Sequence, residues 1–231
     1  MKMTHPPEPG AGNSGLSGAQ VAIHIRPFLP VDETRVREIC YATALLGGPI
    51  QPLIPDLMWV SDALLGYHLV EEPDLLLVAE AEGVIAGYLA GGTDVRRQQR
   101  WFRKHNLWPL MLRAVRSRRI LNARTCRTGL ALVPAFWGVH RQAPHIHLEY
   151  PAFLHINLAG AWQGRGVGAQ LLEKYLADLR ARRIPGLHVS TGTVAGQAFF
   201  AKHGFREMAA RPRPEIPGVP AGKLCLMARA T

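Results

Sequence analysis

Apolar and polar residues alternate along several short stretches of the chain, a pattern typical of strands that are buried on one face. Val21–Arg26 reads VAIHIR and predicts a first strand. Leu75–Ala81 and Val84–Gly91 flank Glu82-Gly83 and predict a β-hairpin. The clearest single strand is Ala152–Leu158. Three shorter strands are predicted further along, at Leu187–Ser190, Phe205–Ala210 and Lys223–Arg229.

Helical patterns occupy the stretches between these strands. Asp32 can cap a helix that Gly47-Gly48 ends, and Asp56 can start a second helix that runs to about Leu65. A longer helix starts at Val167 and has apolar residues every three to four positions, and Ala195–His203 predicts a short one. Strands alternating with helices indicate an α/β fold over residues 21–231, with no internal repeat.

Charge is distributed unevenly along the chain. The sequence has 231 residues and a formal net charge of +10. Residues 95–147, called the basic insert below, contain no acidic residue, and the rest of the chain has a slight excess of acids. We predict two helical pieces here, separated near Pro109. Its basic residues are Arg96, Arg97, Arg100, Arg103, Lys104, Arg113, Arg116, Arg118, Arg119, Arg124, Arg127 and Arg141.

Composition excludes several classes of protein. Hydrophobic residues make up 48% of the chain, enough for a sizeable core, and no uncharged apolar run reaches the roughly 18 residues of a membrane helix. Residues 1–20 are rich in Gly, Pro and Ser and lack a signal-peptide core, so we expect a flexible tail. Cys40, Cys126 and Cys225 lie far apart and predict no disulfide framework, which favours a cytoplasmic location.

The most informative stretch is a glycine-rich turn between a strand and a helix. Gln163 to Ala169 reads QGRGVGA. Glycines allow backbone N–H groups to approach an anion closely, and the following helix N-terminus adds unpaired N–H donors. The pattern therefore predicts a phosphate or pyrophosphate ligand. The alternative is a tight turn that binds nothing.

Two phosphate-binding motifs do not fit this turn. A P-loop ends in Gly-Lys-Ser/Thr, which is absent. Gly164-x-Gly166-x-x-Ala169 fits the loose dinucleotide-binding pattern, but the next strand, LHVST, lacks the acidic residue that binds the ribose. Only 62 residues follow Ala169, too few for the rest of a dinucleotide-binding fold.

A third signature fits better. Gln163-x-x-Gly166-x-Gly168 resembles the Q/R-x-x-G-x-G/A motif of the GNAT superfamily of N-acetyltransferases. Ala198–Phe205, AFFAKHGF, resembles the A-F-Y-x-K-x-G-F ending of that family, and the two motifs follow in family order across residues 152–209. Tyr150–Ile156 and the long insert are similar to a narrower group, which includes the acetyltransferase-like domain attached to the hydrolase that removes O-linked N-acetylglucosamine.

The resemblance implies a GNAT-like α/β fold, with helices on both faces of a mixed sheet that splays between its two central parallel strands. Acetyl-CoA would be the cosubstrate and would lie in that opening. The backbone of three strand residues would bind its pantetheine arm as an added strand does. The glycine-rich turn would hold the pyrophosphate, and a lysine would approach the ribose phosphate. These residues are Ile156, Asn157 and Leu158 for the arm, Gln163, Gly164, Arg165, Gly166, Val167, Gly168 and Ala169 for the pyrophosphate, and Lys202.

The implied activity is direct transfer of acetyl from the thioester to an amine of unknown identity. The sequence departs from the family where a tyrosine usually protonates the departing thiolate, since Phe200 cannot donate a proton. Thr193 stands for the usual asparagine and can still donate one hydrogen bond, and Gly196 stands for an alanine. A thiolate can leave without a positioned acid, so slow transfer is expected. The alternative is an acetyl-CoA-binding domain without turnover.

No motif fixes the general base. His155 and Asn157 share one face of the central strand, and a histidine with a pKa near neutral suits deprotonation of an amine. Glu149, just upstream, is a second candidate base. His145 and His147 have no further ligand at a matching spacing, so no metal site is predicted.

The basic insert has three open interpretations. It is a solvated helical face, or it shapes the acceptor pocket, or it contacts nucleic acid or an acidic protein partner. Trp101 and Trp108 are seven residues apart, which predicts that both pack inward. A homodimer would accord with the resemblance, and no membrane contact is expected.

Overall fold

The structure is a computed structural model, and it describes residues 22–117, 125–126, 138–213, 215 and 221–231. The predicted tail at 1–20 therefore lies outside the described residues. The same holds for Arg118, Arg119, Arg124 and Arg127 of the basic insert. The division into a tail and a single domain stays a prediction.

One mixed seven-stranded sheet forms the centre of the described fold. Its strand order is β1-β2-β3-β4-β5-β7-β6, and every neighbouring pair is antiparallel except β4 and β5. The predicted strands are confirmed, with ends that shift by at most two residues. The strands are β1 Ile23–Pro27, β2 Leu76–Ala81, β3 Val84–Gly92, β4 Ala152–Leu158, β5 Gly186–Thr191, β6 Arg206–Pro212 and β7 Lys223–Ala230.

Of the two helix caps predicted, that of Asp32 is wrong: its carboxylate binds Arg26 and the Leu29 N–H and makes no cap bond with the first helix. The Asp56 carboxylate accepts a hydrogen bond from the Trp59 N–H at 2.8 Å and caps α2. Helix α2 runs five residues beyond its predicted end, and residues 138–149 contain two helical turns. The helices are α1 Glu33–Thr43, α2 Leu57–Val70, α3 Val95–Trp101, α4 Leu107–Arg116, α5 Ile146–Glu149, α6 Val167–Ala181 and α7 Val194–Lys202.

The two helical pieces predicted for the basic insert are confirmed as α3 and α4, but Pro109 does not separate them. Pro109 lies inside α4, and the irregularity precedes it as a π-helical turn at Phe102–Asn106. Because Pro109 cannot donate to the carbonyl of His105 and crowds it, the wider turn allows the helix to continue. The turn also adds about one residue between Trp101 and Trp108, a rotation of about 100°. Trp101 packs beside Tyr67, whereas Trp108 is 75% exposed, so its predicted inward packing is wrong.

Helices cover both faces of the sheet. Helices α6 and α7 pack on one face, over a core that includes Leu77, Leu89, Leu154 and Leu187. Helices α1 and α2 cover the opposite face over β2 and β3, while residues 138–150 cover it over β5, β6 and β7. The GNAT-like arrangement expected from the sequence is thus confirmed. Within the described ranges, no helix combines the length and the apolar character that crossing a bilayer requires.

Candidate functional site

The two central parallel strands separate soon after they meet. Strand β4 pairs with β3 along its length, from Phe153 to Leu158, but pairs with β5 only at Ala152–Leu187 and Phe153–His188. Strand β5 instead pairs with β7 throughout. Beyond Phe153 the facing edges of β4 and β5 carry backbone groups that no longer bond to each other. Such an opening suits an extended amide-containing chain that adds as a strand.

The glycine-rich turn lies at the wide end of this opening. Gly164 and Gly166 have φ values of +73° and +79°, which favour glycine because other residues are strained there. A Cβ at either position would meet no atom within 4 Å, so backbone conformation rather than space requires glycine. Helix α6 starts at Val167, and the N–H groups of Val167, Gly168 and Ala169 have no acceptor within the helix. Free N–H donors at a helix N-terminus suit a phosphate.

Side chains around the turn hold it against the end of β4. The Gln163 amide donates a hydrogen bond to the carbonyl oxygen of Leu158 at 3.2 Å. The exposed Arg165 guanidinium lies 5.4 Å from the centre of the Trp162 ring. A Cβ at Gly168 would lie 3.7 Å from the Ile156 side chain, which shows how closely α6 approaches β4. The structure therefore brings together the strand and turn residues that the sequence assigned to acetyl-CoA.

Helix α7 presents the residues that depart from the family pattern. Thr193 caps the helix by accepting a hydrogen bond from the Gly196 N–H at 2.9 Å. A Cβ at Gly196 would lie only 2.4 Å from the Thr191 hydroxyl oxygen and 2.8 Å from that of Thr193, so the usual alanine would force both hydroxyls to move. Phe200 is 4% exposed and belongs to the same buried cluster as Leu154. Lys202 is exposed in the last turn.

His155 and Asn157 lie on the face of β4 opposite to α6. They pair with Ala90 and Tyr88 of β3, and the Asn157 amide donates to the Tyr88 hydroxyl at 2.7 Å. The Asn157 side chain is therefore engaged by the scaffold. His155 is half-buried, and desolvation lowers its pKa below the usual 6.5, so the imidazole is neutral at pH 7. A neutral imidazole is the form that accepts a proton.

A second imidazole, that of His68 on α2, packs against the same face of the sheet. Its Nδ1 donates to the carbonyl of Gly91 at 2.8 Å, and its Nε2 is buried without a hydrogen-bond partner among the described residues. Burial, and then the proximity of His155, lower the His68 pKa to about 3. His68 is therefore neutral across the physiological range.

Glu149 lies away from the opening. It is exposed in α5, and its backbone carbonyl lies beside Gly186, where β5 begins. The paired residues Ala152 and Leu187 come between Glu149 and the diverging part of the strands. The structure does not bring Glu149 and His155 together, and Glu149 as a base stays a prediction.

Part of the insert's charge is neutralised by acidic residues elsewhere. Arg97 pairs with Glu71 at 2.8 Å, and Arg113 lies 3.4 Å from both Asp56 and Asp62. Helix α4 is therefore tied to α2 by ion pairs. The contact of the insert with an acidic partner or a nucleic acid stays a prediction.

Sequence analysis missed a cluster of three histidines beside the opening. His140, His147 and His188 each place a ring nitrogen within 4.8 Å of the other two. His145, paired with His147 in the sequence, is exposed instead. The signal that could have found the cluster is His188 itself, a polar residue between Leu187 and Val189 in a buried strand.

Comparisons with known proteins agree with this geometry. Residues 129–205 match the sequence profile of the acetyltransferase (GNAT) family. The solved structure of SsHAT is 27% identical and has a TM-score of 0.67, and the match covers 90% of this chain and 98% of that one. Drosophila melanogaster polyamine N-acetyltransferase is 14% identical over 91% of this chain and 100% of that one, with a TM-score of 0.58.

The Salmonella typhimurium protein yncA was solved with its cofactor acetyl-CoA. It is 16% identical over 90% of this chain and 94% of that one, with a TM-score of 0.52. The family match falls on the helix and turn whose free N–H groups suit a pyrophosphate. Together, the profile match over residues 129–205 and the fold show that the chain is similar to acetyltransferases of the GNAT family.

Proposed function

We propose that this protein transfers the acetyl group of acetyl-CoA directly to a primary amine. The observation that carries the proposal is the separation of β4 from β5 after Phe153, directly beside the Gly164–Gly166 turn. The opening offers backbone partners to an extended arm, and the start of α6 offers N–H donors to a pyrophosphate. Acetyl-CoA combines these two features in one molecule and supplies the activated acetyl group.

The chain's own residues would supply three functions. Backbone N–H groups in the diverging part of β4 would polarise the thioester carbonyl. His155 would take the proton of the attacking amine, directly or through water, while a C–N bond forms and the C–S bond breaks. The sulfur would leave as a thiolate, because Phe200 has no proton to give. Turnover is therefore expected to be slower than with a tyrosine at this position.

Binding is tested first, by calorimetric titration of the full chain with acetyl-CoA. We expect one site in the wild type and at least a 100-fold loss of affinity in Gly166→Glu, which puts strain and a negative charge at the pyrophosphate site. Gly83→Glu is the matched control, because Gly83 also has a positive φ, of +76°, and open space around it, but lies in the β2–β3 turn. Equal affinities in the two variants would refute this placement of the pyrophosphate.

Turnover is tested next, by following release of the CoA thiol with a panel of amines. The neighbouring structures guide the panel, since they include N-acetyltransferases named for agmatine, polyamines and arylalkylamines. Amine-dependent thiol release with matching acetylated product supports transfer. Tight binding with no release above the water background, for every amine, favours the alternative of an acetyl-CoA-binding domain without turnover.

A further inference from the structure

Three imidazoles converge on the face of the sheet that α6 does not cover. His188 belongs to β5, while His140 and His147 belong to the segment that packs over it. The ring centres lie 5.2 to 5.9 Å apart, and one nitrogen from each ring falls within 4.8 Å of the other two. The cluster thus brings together residues that are up to 48 positions apart in the sequence.

Two of the rings are oriented by a hydrogen bond at one ring nitrogen. Nδ1 of His188 donates to the carbonyl of Tyr150 at 2.6 Å, which leaves Nε2 with a lone pair. His140 Nε2 lies 3.1 Å from the hydroxyl of Ser190. Metal-binding histidines typically bond their second ring nitrogen to a carbonyl or hydroxyl in this way, which fixes the tautomer and the ring direction.

Two further ring nitrogens of the cluster lack partners. Nδ1 of His140 and Nδ1 of His147 are buried, with no hydrogen-bond partner among the described residues. A buried polar atom left unpaired is unfavourable, and native structures rarely keep two so close together without a ligand. Neutral imidazole binds a metal ion through such a nitrogen lone pair.

We propose that His140, His147 and His188 bind one divalent transition-metal ion of the zinc type. Three neutral nitrogen donors without a thiolate suit Zn²⁺, Cu²⁺ or Ni²⁺ rather than Ca²⁺ or Mg²⁺, which prefer oxygen. Tetrahedral Zn²⁺ with bonds of about 2.0–2.1 Å needs nitrogens about 3.4 Å apart. Modest ring rotations would close the present spacing. Water would take the fourth position.

The metal ion would link residues 138–149, which cover this part of the sheet, to β5. His188 is the β5 partner of Phe153, so the ion would lie beside the last residues that β4 and β5 share. His140 and His147 would anchor residues 138–149 there. The inference does not depend on acetyl transfer, because it concerns a separate set of side chains.

The test uses the full chain without an affinity tag, stripped with a chelator and then titrated with Zn²⁺ by calorimetry and with Co²⁺ by visible absorption. We expect one Zn²⁺ per chain with submicromolar affinity. Co²⁺ should give the intense bands of a four-coordinate site, and Zn²⁺ should abolish them. Because the ion binds only the folded chain, Zn²⁺ should also raise the melting temperature by several degrees.

Variants separate this site from adventitious binding. His147→Ala should weaken Zn²⁺ binding at least 30-fold and abolish the Co²⁺ bands, while His145→Ala, an exposed histidine two positions away, should leave both unchanged. Circular dichroism checks that each variant folds. The proposal is overturned if the wild type binds no stoichiometric ion tighter than about 10 µM. It is also overturned if Co²⁺ shows only six-coordinate absorption, or if the two variants bind alike.

Discussion

The hydroxyl oxygen of Tyr175 on α6 lies 2.9 Å from the carbonyl oxygen of Phe153, the last residue of β4 that pairs with β5. The same hydroxyl lies 3.0 Å from the carbonyl of Gly92 and accepts from the Gly92 N–H at 3.1 Å. One fully buried side chain therefore joins α6 to the ends of β3 and β4. Its single proton can serve only one carbonyl at a time. The helix that presents the glycine-rich turn is thus fixed to the point where the sheet opens.

Tyr175→Phe should therefore destabilise the protein. The substitution keeps the ring but removes the acceptor of the Gly92 N–H and the donor to one carbonyl in a buried environment, at a cost of about 1–3 kcal/mol. Urea unfolding followed by circular dichroism measures the free energy of unfolding. Tyr41→Phe is the control, because the Tyr41 hydroxyl makes a single bond to the Ile54 carbonyl in a half-buried position. A loss no larger than that of the control would contradict the role given to Tyr175.

The stability of the protein should fall in mild acid because of His68. Its folded pKa is about 3, while the unfolded value is about 6.5, so the unfolded chain binds a proton that the folded chain does not. Stability from this group is complete above pH 6.5 and is lost as pH falls towards 3. Between pH 7.5 and 5.0 the loss from one such histidine is about 2 kcal/mol.

The measurement compares urea unfolding of the wild type and His68→Gln at these two pH values. Other buried histidines contribute to the wild-type slope, so the informative quantity is the difference between the two proteins. His68→Gln should lose about 2 kcal/mol less than the wild type over this range. His24→Gln replaces an exposed histidine of β1 and should follow the wild type. Parallel pH dependence in His68→Gln and the wild type would be inconsistent with a neutral buried His68.

Sequence patterns predicted the strands and the glycine-rich turn correctly, because a single local cause determines the backbone conformation of each. The side chains of Ala152–Leu158 point alternately to the two faces of the sheet, and the predicted bounds of this strand are those of β4. Gly164 and Gly166 were expected to shape an anion-binding turn, and both adopt the left-handed backbone that favours glycine. The opening between β4 and β5 was expected from the family resemblance, since strand patterns do not reveal where pairing stops.

The errors arose where distant segments determine local structure. The second helix was expected to end at about Leu65, yet α2 continues through Gly66 to Val70. A Cβ at Gly66 would come within 3.3 Å of Asn106 and 3.6 Å of Trp101, so packing against the basic insert favours glycine there. The π-helical turn rotates Trp108 outward, and sequence spacing alone cannot detect an added residue. The cluster of His140, His147 and His188 depends on which face of β5 is covered by which segment. Such tertiary information has no short-range signature.

His155→Gln should impair the chemical step while sparing acetyl-CoA binding. General-base catalysis typically contributes 10²- to 10⁴-fold, so kcat should fall at least 100-fold at pH 7 with little change in KM for acetyl-CoA. Because burial lowers the His155 pKa, the wild-type rate should decline only below pH 6.5, and this acidic limb should be absent from the variant. A pH–rate profile of thiol release measures both. Unchanged kcat in His155→Gln would assign the base elsewhere, with Glu149 as the next candidate.

Phe200→Tyr should accelerate transfer, because it restores a hydroxyl where the family resemblance places the acid for the departing thiolate. The ring of Phe200 is buried beside Phe205, with centres 5.0 Å apart, so the tyrosine ring should keep its position. If the new hydroxyl reaches the opening, kcat should rise several-fold and the free energy of unfolding should change by less than about 1 kcal/mol.

Phe205→Tyr is the matched control for Phe200→Tyr. It adds the same hydroxyl to the same buried cluster, and we expect it to cost about 1–3 kcal/mol of stability without any gain in rate. Single-turnover thiol release at saturating acetyl-CoA isolates the chemical step from product release. A Phe200→Tyr variant that behaves like Phe205→Tyr would mean that position 200 serves the core alone. In that case a hydroxyl at position 200 would not assist the departing thiolate, and the missing tyrosine would not explain slow transfer.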